Sequence, residues 1–220
     1  MTIALEMKGI NKYFSSTEVM ANNNVDFSVE EGEIHALVGE NGAGKTTLMN
    51  ILYGLQKMDS GEIILHGEKV NIGHPDDAIR LGIGMVHQHF KLVPSFTIAQ
   101  NVMLGIEPNK AGFLNQRSEN EAVRKLGESF GLPVDPKAKI RDLPVGMQQR
   151  VEILKTLQRH AKLLILDEPT AVLTPQEVKE FLQVVRRIAS NGCTVLFITH
   201  KLIEVMDVAD RVSVMRGGKM

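Results

Sequence analysis

The sequence predicts an α/β fold in which a mostly parallel sheet carries helices on both faces. The first observation is a set of short, almost continuously apolar runs at 34–38, 163–166, 195–199 and 212–215, which are typical of strands buried on both faces. The second is that segments with helical periodicity separate these runs. The third is a change between about 92 and 160, where strand-like runs give way to helical ones.

The N-terminal part of the chain favours antiparallel strands. Residues 3–38 are mostly strand-like, and Val25, Phe27 and Val29 alternate with polar residues. A stretch at 60–70 has apolar residues on both sides of a His-Gly turn, which predicts a hairpin. We therefore expect an antiparallel β subdomain beside the parallel sheet.

Two helices of the core are predicted by their starts and lengths. Pro75 follows His74 and is tolerated in a first helical turn, while Asp76 and Asp77 lie near the positive end of that helix dipole. A longer helix is predicted at about 175–190.

A helical subdomain is predicted within 92–160, inserted into a β-rich core made of 1–91 and 161–220. One face of its last helix is apolar and the rest is polar or charged. The helices predicted in this subdomain are 98–104, 119–130 and 147–159.

Composition bears on the size of the core and on the expected partners. The chain has 220 residues, of which 43% are hydrophobic and 23% charged, enough for one substantial core or two packed lobes. The formal net charge of -1 gives no global basic field, so we expect no nucleic-acid partner.

The single cysteine and the absence of long apolar runs bear on location. Cys193 opens an apolar run, where it is expected to be a small buried hydrophobe, and one cysteine forms no internal disulfide, which suits a reducing cytosol. No secretory signal is evident, and every apolar run is far shorter than the ~20 residues that a membrane span requires. If the protein works at a membrane, another polypeptide supplies the spans.

Residues 39–46, Gly-Glu-Asn-Gly-Ala-Gly-Lys-Thr, fit the pattern G-x-x-x-x-G-K-[ST] between the apolar run 34–38 and a predicted helix. Such a strand-loop-helix unit points backbone N–H groups and the positive end of a helix dipole at one place. Lys45 would reach the β- and γ-phosphates, and the Thr46 hydroxyl would ligate Mg²⁺. The pattern predicts binding of a nucleoside triphosphate.

Titratable residues follow the predicted core strands. Asp167, at the end of the run 163–166, is suited to hold Mg²⁺ through water, and Glu168 to polarise the water that attacks the γ-phosphate. His200 ends another strand, where it either stabilises developing charge or is structural. Gln88 follows the run 83–86 and is a candidate for contact with the metal or the attacking water.

In this order along the chain, six segments resemble those of the ATP-binding subunit of an ATP-binding cassette (ABC) transporter. The resemblance covers essentially the whole chain and implies a P-loop NTPase core. The segments are Walker A at 39–46, the Q-loop at Gln88, the signature at 143–147, Walker B at 163–168, the D-loop at 171–174 and the His-loop at His200.

The resemblance also implies a role for individual residues, with ATP and Mg²⁺ as ligands. Glu168, His200 and Gln88 are the implied catalytic residues, and Phe14 is similar to the aromatic that stacks on adenine, with Tyr13 as the alternative. The implied nucleotide-binding residues are Phe14, Gly39, Asn41, Gly42, Gly44, Lys45, Thr46 and Thr47. The implied metal ligands are Thr46, Gln88 and Asp167.

Segments 85–94 and 167–175 look most like ATPases of simple-sugar and nucleoside importers, in which one polypeptide usually carries two cassettes. The chain stops at Met220 just after a Gly-Gly turn, so we expect the first cassette of a longer protein. The implied partners are a second cassette, membrane permease subunits that contact the Q-loop and helical subdomain, and indirectly an extracytoplasmic solute-binding protein. The implied location is the cytoplasmic face of the cell membrane.

Two segments depart from the family pattern. Residues 143–147 are Leu-Pro-Val-Gly-Met where Leu-Ser-Gly-Gly-Gln is usual, and residues 171–174 are Ala-Val-Leu-Thr where Ser-Ala-Leu-Asp is usual. Pro144 supplies neither a hydroxyl nor an N–H to a phosphate. The departures therefore concern the composite site that this cassette would complete on its partner, unless Pro144 simply starts a helix.

Two alternative functions remain open on the sequence. One is a soluble ABC-type ATPase that acts on the ribosome or DNA, and the other is a cassette that binds ATP without hydrolysing it. The near-neutral charge argues against the first, and Glu168 with His200 against the second.

Overall fold

A computed structural model describes residues 2–87, 90–106, 109–110, 113–114 and 116–220. Its strands are β1 (Ile3–Phe14), β2 (Val19–Glu30), β3 (Ile34–Val38), β4 (Ser60–Leu65), β5 (Glu68–Val70), β6 (Ile83–Val86), β7 (Asn109–Lys110), β8 (Phe113–Leu114), β9 (Leu163–Asp167), β10 (Thr194–Thr199) and β11 (Arg211–Val214). Its α-helices are α1 (Lys45–Leu52), α2 (Pro75–Arg80), α3 (Ile98–Met103), α4 (Gln116–Phe130), α5 (Val145–Leu157), α6 (Pro175–Ser190) and α7 (Leu202–Val208).

The central sheet is parallel, in the order β11-β3-β10-β9-β6. Every residue of β3, β9 and β10 is buried, as their continuous apolar sequences predict. Since the strands are parallel, their carboxyl ends lie along one edge of the sheet, and Asp167 of β9 pairs with Ile198 of β10 near that edge. The predicted α/β class is confirmed.

The second sheet is antiparallel, in the order β2-β1-β4-β5. Its buried residues, among them Met7 and Phe27, share one core cluster with Leu48 and Leu52 of α1 and with Ile198 of the parallel sheet. The predicted hairpin at 60–70 is formed by β4 and β5. Helix α1 is thus packed into the core that the two sheets share, which holds the loop before it against both of them.

The helical segment contains α3, α4 and α5 as predicted, with shifted limits. Pro144 precedes the first residue of α5, so the helix starts before 147, and His160 has a φ of 58° after its end. Helix α4 begins before the predicted residue 119. The prediction missed this start because the residues of the first turn are all polar and show no apolar periodicity. The prediction of no strands here was wrong, since β7 and β8 form a two-residue antiparallel pair. The limits of the inserted subdomain stay a prediction.

Three of the described helices, α2, α3 and α6, begin with side-chain capping boxes, and one helix was not predicted. His74 caps α2 in a box with Asp77, and Thr174 caps α6 in a box with Glu177, which confirms both predicted starts. Helix α7 was missed because Leu202, Ile203 and Met206 are exposed while Val205 and Val208 are buried, so no polar face marks it.

Cys193 is buried just before β10, as predicted. Burial raises the pKa of its thiol to about 12, so the thiol is protonated and unreactive at neutral pH. Across the described residues, no helix combines the length and apolar character that crossing a bilayer requires.

Candidate functional site

The loop at 39–46 curves around the ammonium group of Lys45, the first residue of α1. Lys45 Nζ donates to Gly39 O at 2.7 Å and to Glu40 O at 3.0 Å, and only 5% of the residue is exposed. Gly44 precedes the helix with a φ of 104°, in the left-handed region that favours glycine. The predicted strand-loop-helix unit is therefore present, with a cation at its centre.

Close backbone packing explains two glycines of this loop. A Cβ on Gly44 would lie 2.1 Å from Ala21 O of β2, and a Cβ on Gly39 would lie 2.3 Å from Met215 O after β11. Asn22, fully buried in β2, donates from Nδ2 to Gly44 O at 3.2 Å. Sequence reasoning missed these supports because they come from distant segments.

The carboxylate of Asp167 lies at the end of β9, and 7% of the residue is exposed. Burial raises the pKa of Asp167 above its usual range, and the neighbouring Glu168 carboxylate adds to this. A hydrogen bond with the Thr46 side chain and the charge of Lys45 act in the opposite direction. Oδ1 of Asp167 is buried without a hydrogen-bond partner among the described residues. An oxygen left in this state, beside a hydroxyl, fits a role in holding Mg²⁺.

Glu168 and His200 follow adjacent parallel strands and meet. His200 Nδ1 lies 3.1 Å from Glu168 Oε1. Glu168 has a φ of 47°, a left-handed conformation that costs a non-glycine residue about 1–3 kcal/mol and often occurs at functional sites. The two residues predicted to act in hydrolysis are thus in contact, and Gln88 lies outside the described residues.

A cleft of about 540 Å³ joins the loop to the β1–β2 hairpin. The ring of Phe14 lines it, with Lys12 Nζ 5.4 Å from the ring centroid, whereas the exposed Tyr13 does not line it. This placement favours Phe14 over Tyr13 as the stacking residue. The cleft is lined by Phe14, Thr17, Val19, Ala21, Asn41, Gly42, Ala43, Gly44, Lys45, Thr46, Thr47 and Glu168.

The segment 143–147 forms the start of α5. Pro144 is the residue before the helix and makes no side-chain cap, and Val145 is exposed. A Cβ on Gly146 would lie 2.9 Å from Glu177 Oε1 of α6, so an acid stands beside the first turn of α5. Thr174, which ends the segment 171–174, accepts from Glu177 N as the cap of α6.

A second cleft, of about 250 Å³, lies away from the loop at 39–46, between the segment after α1, helices α2 and α5, and β6. Its lining includes Tyr53, His87, Glu152 and Arg159. Glu152 Oε1 accepts from Lys91 N at 2.5 Å, and burial raises the pKa of Glu152. This cleft lies between the core and the helical segment.

Comparisons with known sequences identify close relatives. The family model described as ABC transporter matches residues 22–171. The guanosine import ATP-binding protein NupO of Bacillus subtilis is 52% identical over 219 residues, which is 100% of this chain and 42% of that protein. The nucleoside import ATP-binding protein NupA of Lactococcus lactis is 50% identical over 215 residues, 98% of this chain and 42% of that protein. The chain thus spans less than half the length of these curated relatives.

Solved structures share the fold. The ADP conformation of MJ1267, an ATP-binding cassette of an ABC transporter, matches with a TM-score of 0.87 and 26% identity over 100% of this chain and 89% of that chain. A dimeric post-hydrolysis state of the cassette MJ0796, bound to ADP and Pi, matches with a TM-score of 0.83 and 26% identity over 98% and 96%. The two sheets and helices described above therefore have the arrangement of these cassettes.

Proposed function

This chain is an ATP-binding domain of the ABC transporter family, and we propose that it hydrolyses ATP to power an importer of nucleosides or simple sugars. The predicted family and the P-loop NTPase fold class are confirmed. The observation that carries the proposal is the convergence of Lys45, Thr46, Asp167, Glu168 and His200 at the carboxyl edge of the parallel sheet.

Nucleotide binding is assigned to the 540 Å³ cleft. The phosphates lie against the loop at 39–46, where backbone N–H groups and the start of α1 favour an anion. Lys45 exchanges its bonds to Gly39 O and Glu40 O for bonds to the β- and γ-phosphates. The base stacks on Phe14, at the opposite end of the cleft. Gly42 and Gly44 let the backbone approach the phosphates closely, since both have positive φ.

Mg²⁺ belongs beside Thr46 and Asp167. The Thr46 hydroxyl is a direct ligand in this proposal, and the unpartnered Oδ1 of Asp167 accepts a hydrogen bond from metal-bound water. The ion, when bound, neutralises charge that develops on the phosphate oxygens. Burial raises the pKa of Asp167. A neighbouring cation acts in the opposite direction, because it favours the ionised carboxylate.

Hydrolysis is assigned to the pair of Glu168 and His200. The Glu168 carboxylate lines the cleft and orients the attacking water, from which it accepts a proton. The ring of His200 holds one carboxylate oxygen through Nδ1, which leaves the other oxygen for the water. Gln88 is kept as a candidate contact to the metal and the water on the family pattern alone.

The proposed partners of this chain are those that its resemblance to the family implies. Because the chain spans 42% of the length of its import relatives, a second cassette within the same full-length polypeptide is the proposed partner across the nucleotide. Permease subunits are proposed to contact the helical segment and the second cleft, whose lining includes His87, next to Gln88 in sequence. An extracytoplasmic solute-binding protein acts indirectly, through the permease. With these partners, the proposed location of the chain is the cytoplasmic face of the membrane.

The solute class is taken from the relatives, whose names include guanosine, nucleoside, glucose and ribose import. The guanosine and nucleoside import proteins are 52% and 50% identical to this chain, against 46% for the glucose import protein and 44% and 45% for two ribose import proteins. Nucleosides are therefore the first solutes to test.

The test is uptake by cells that express the full-length protein with its permease subunits. Labelled guanosine, ribose and glucose are compared, and ATP hydrolysis is measured on the same purified complex. We expect uptake of one solute class, lost in Glu168→Gln. Hydrolysis without a permease partner, in a complex with ribosomes or DNA, would instead support the soluble alternative, and ATP binding without turnover would support the non-hydrolysing one.

A further inference from the structure

Three polar residues outside the nucleotide cleft and the loop at 39–46 are bonded to one another next to the Glu168–His200 pair, two of them buried and the third, Lys201, partly exposed. Thr170 Oγ1 donates to Glu204 Oε2 at 2.5 Å, and these residues are only 1% and 6% exposed. Lys201 Nζ lies 3.2 Å from Glu204 Oε1 and donates to Thr170 O at 3.0 Å. We call Thr170, Lys201 and Glu204 the Thr170 cluster.

The Thr170 cluster joins the two loops that carry the reacting residues. Thr170 lies two residues after Glu168, and Lys201 directly follows His200. Glu204 belongs to the first turn of α7, the helix that follows the loop after β10. Every bond of the cluster that crosses between the loops therefore limits how far Glu168 and His200 move apart.

The conformation of Glu168 requires such support. A non-glycine residue with a φ of 47° keeps this conformation only when its surroundings impose it. On one side, Glu168 N donates to Ile198 O at 3.0 Å. On the other side, Ala171 N donates to Glu168 O at 3.2 Å, next to Thr170. The Thr170 cluster anchors this second side.

The same loop has a further buried attachment, to α5. Gln149, which is 1% exposed, donates from Nε2 to Pro169 O. The loop is thus bonded to α5 at Pro169 and to α7 at Thr170. Packed interiors deform little by local adjustment. We therefore expect the loss of one of these bonds to displace the neighbouring residues of the loop.

We propose that Thr170, Lys201 and Glu204 are positioning residues for ATP hydrolysis, which hold Glu168 and His200 in contact. The inference rests on the proposed function. Both oxygens of the Glu204 carboxylate are bonded within the cluster, one to a hydroxyl and one to an ammonium group. The buried pair of Thr170 and Glu204 is therefore fully bonded, and removing the Thr170 hydroxyl leaves a buried carboxylate oxygen with an unmet hydrogen bond. The cluster acts on turnover and not on nucleotide affinity.

The first experiment replaces Thr170 in the full-length protein assembled with its permease. Thr170→Val keeps the shape and removes the hydroxyl, and we expect kcat to fall about tenfold, as for a small displacement of a catalytic group. The dissociation constant for ATP stays within about twofold, since Thr170 does not line the cleft. Thr170→Ser restores the hydroxyl and recovers most of kcat. An unchanged kcat in Thr170→Val overturns the proposal.

A matched control separates positioning from general destabilisation. Thr194 is buried at the start of the same strand that ends before His200, and its Oγ1 accepts from Gly32 N at 3.0 Å. Thr194→Val also removes a bonded buried hydroxyl, so we expect a comparable loss of thermal stability with kcat unchanged. Equal losses of kcat in Thr194→Val and Thr170→Val would show that stability alone is responsible, against the proposal.

A double-mutant cycle tests the route of the effect. If the cluster works through Glu168, then Thr170→Val lowers single-turnover hydrolysis about tenfold in the wild type and less than twofold in Glu168→Gln. Equal effects in both backgrounds overturn the proposal. Should Thr170→Val fail to fold, Glu204→Gln, which keeps a hydrogen-bond acceptor, takes its place in the same cycle.

Failure of the proposed function gives a different result. No hydrolysis by the wild-type complex would overturn the ATPase itself, and the positioning role with it. Normal hydrolysis with a normal Thr170→Val rate would overturn only the role of the Thr170 cluster.

Discussion

The two regions that are proposed to face nucleotide are built differently. The region proposed to bind ATP, formed by the loop at 39–46 with Asp167, Glu168 and His200, gathers polar and charged groups at the carboxyl edge of the sheet. The region proposed to face a partner cassette, at 143–147 and 171–174 and called here the offered region, has an apolar start of α5 and the cap of α6.

The residues of the first region match the chemistry of phosphate binding, whereas Pro144 and Thr174 of the second match the geometry of helix starts. Pro144 leads into α5 and Thr174 caps α6, so these two departures from the family pattern suit the start of their own helices. Glu177 takes part in the cap of α6 and also lies beside Gly146, which brings a negative charge to the start of α5. That charge opposes a phosphate there, so we expect the offered region to be the weaker half of a composite site.

The largest expected effect concerns the catalytic carboxylate of the first region. Glu168→Gln should leave ATP binding intact and slow hydrolysis about 10²-fold or more, because it removes the general base. Turnover by the assembled transporter and binding of labelled ATP measure the two quantities. Glu62→Gln, at a half-buried acid of the antiparallel sheet, is the control and should change neither. Near-normal turnover in Glu168→Gln would refute the role.

The next effect concerns binding in the same region. Lys45→Ala should largely abolish ATP binding, because charged hydrogen bonds of about 1.5–3 kcal/mol to the phosphates are lost. Equilibrium binding of MgATP checks this, with Lys8→Ala on the exposed face of β1 as the control. An affinity within about threefold of the wild type would contradict the prediction.

A smaller effect is expected in the offered region. The 220-residue chain should bind MgATP but turn over slowly, because a second copy brings the same altered signature. Pro144→Ser with Val145→Gly should raise the dimer-dependent ATPase rate several-fold, followed as rate against protein concentration. The same change with Glu168→Gln should give no gain. If the first pair of changes gives no gain, Pro144 merely starts the helix and the two regions differ less than proposed.

The smallest effect is on stability alone. Thr174→Ala removes the side-chain cap of α6 and should lower the free energy of unfolding by about 1 kcal/mol, with ATP affinity unchanged. Urea denaturation measures the loss, and Thr174→Ser, which keeps the hydroxyl, should show little of it. A loss of affinity in Thr174→Ala would mean that the two regions are coupled through the loop after Glu168.

The elements with local signals could be predicted from the sequence. The loop at 39–46 follows from a short pattern, the strands β3, β9 and β10 from apolar runs, and the start of α2 from Pro75 and the acids after it. These features were predicted because backbone geometry, side-chain burial and capping depend on residues a few positions apart.

The order of the strands, and the contacts between residues that are far apart in the chain, depend on the tertiary structure. The partners of the loop at 39–46, such as Asn22 and Met215, lie in β2 and after β11, and neither carries a local signal. Glu168 and His200 were both predicted at strand ends, but their 3.1 Å contact depends on β9 and β10 being neighbours. Because parallel pairing joins segments far apart in the chain, no periodicity within either strand encodes which strand lies beside it.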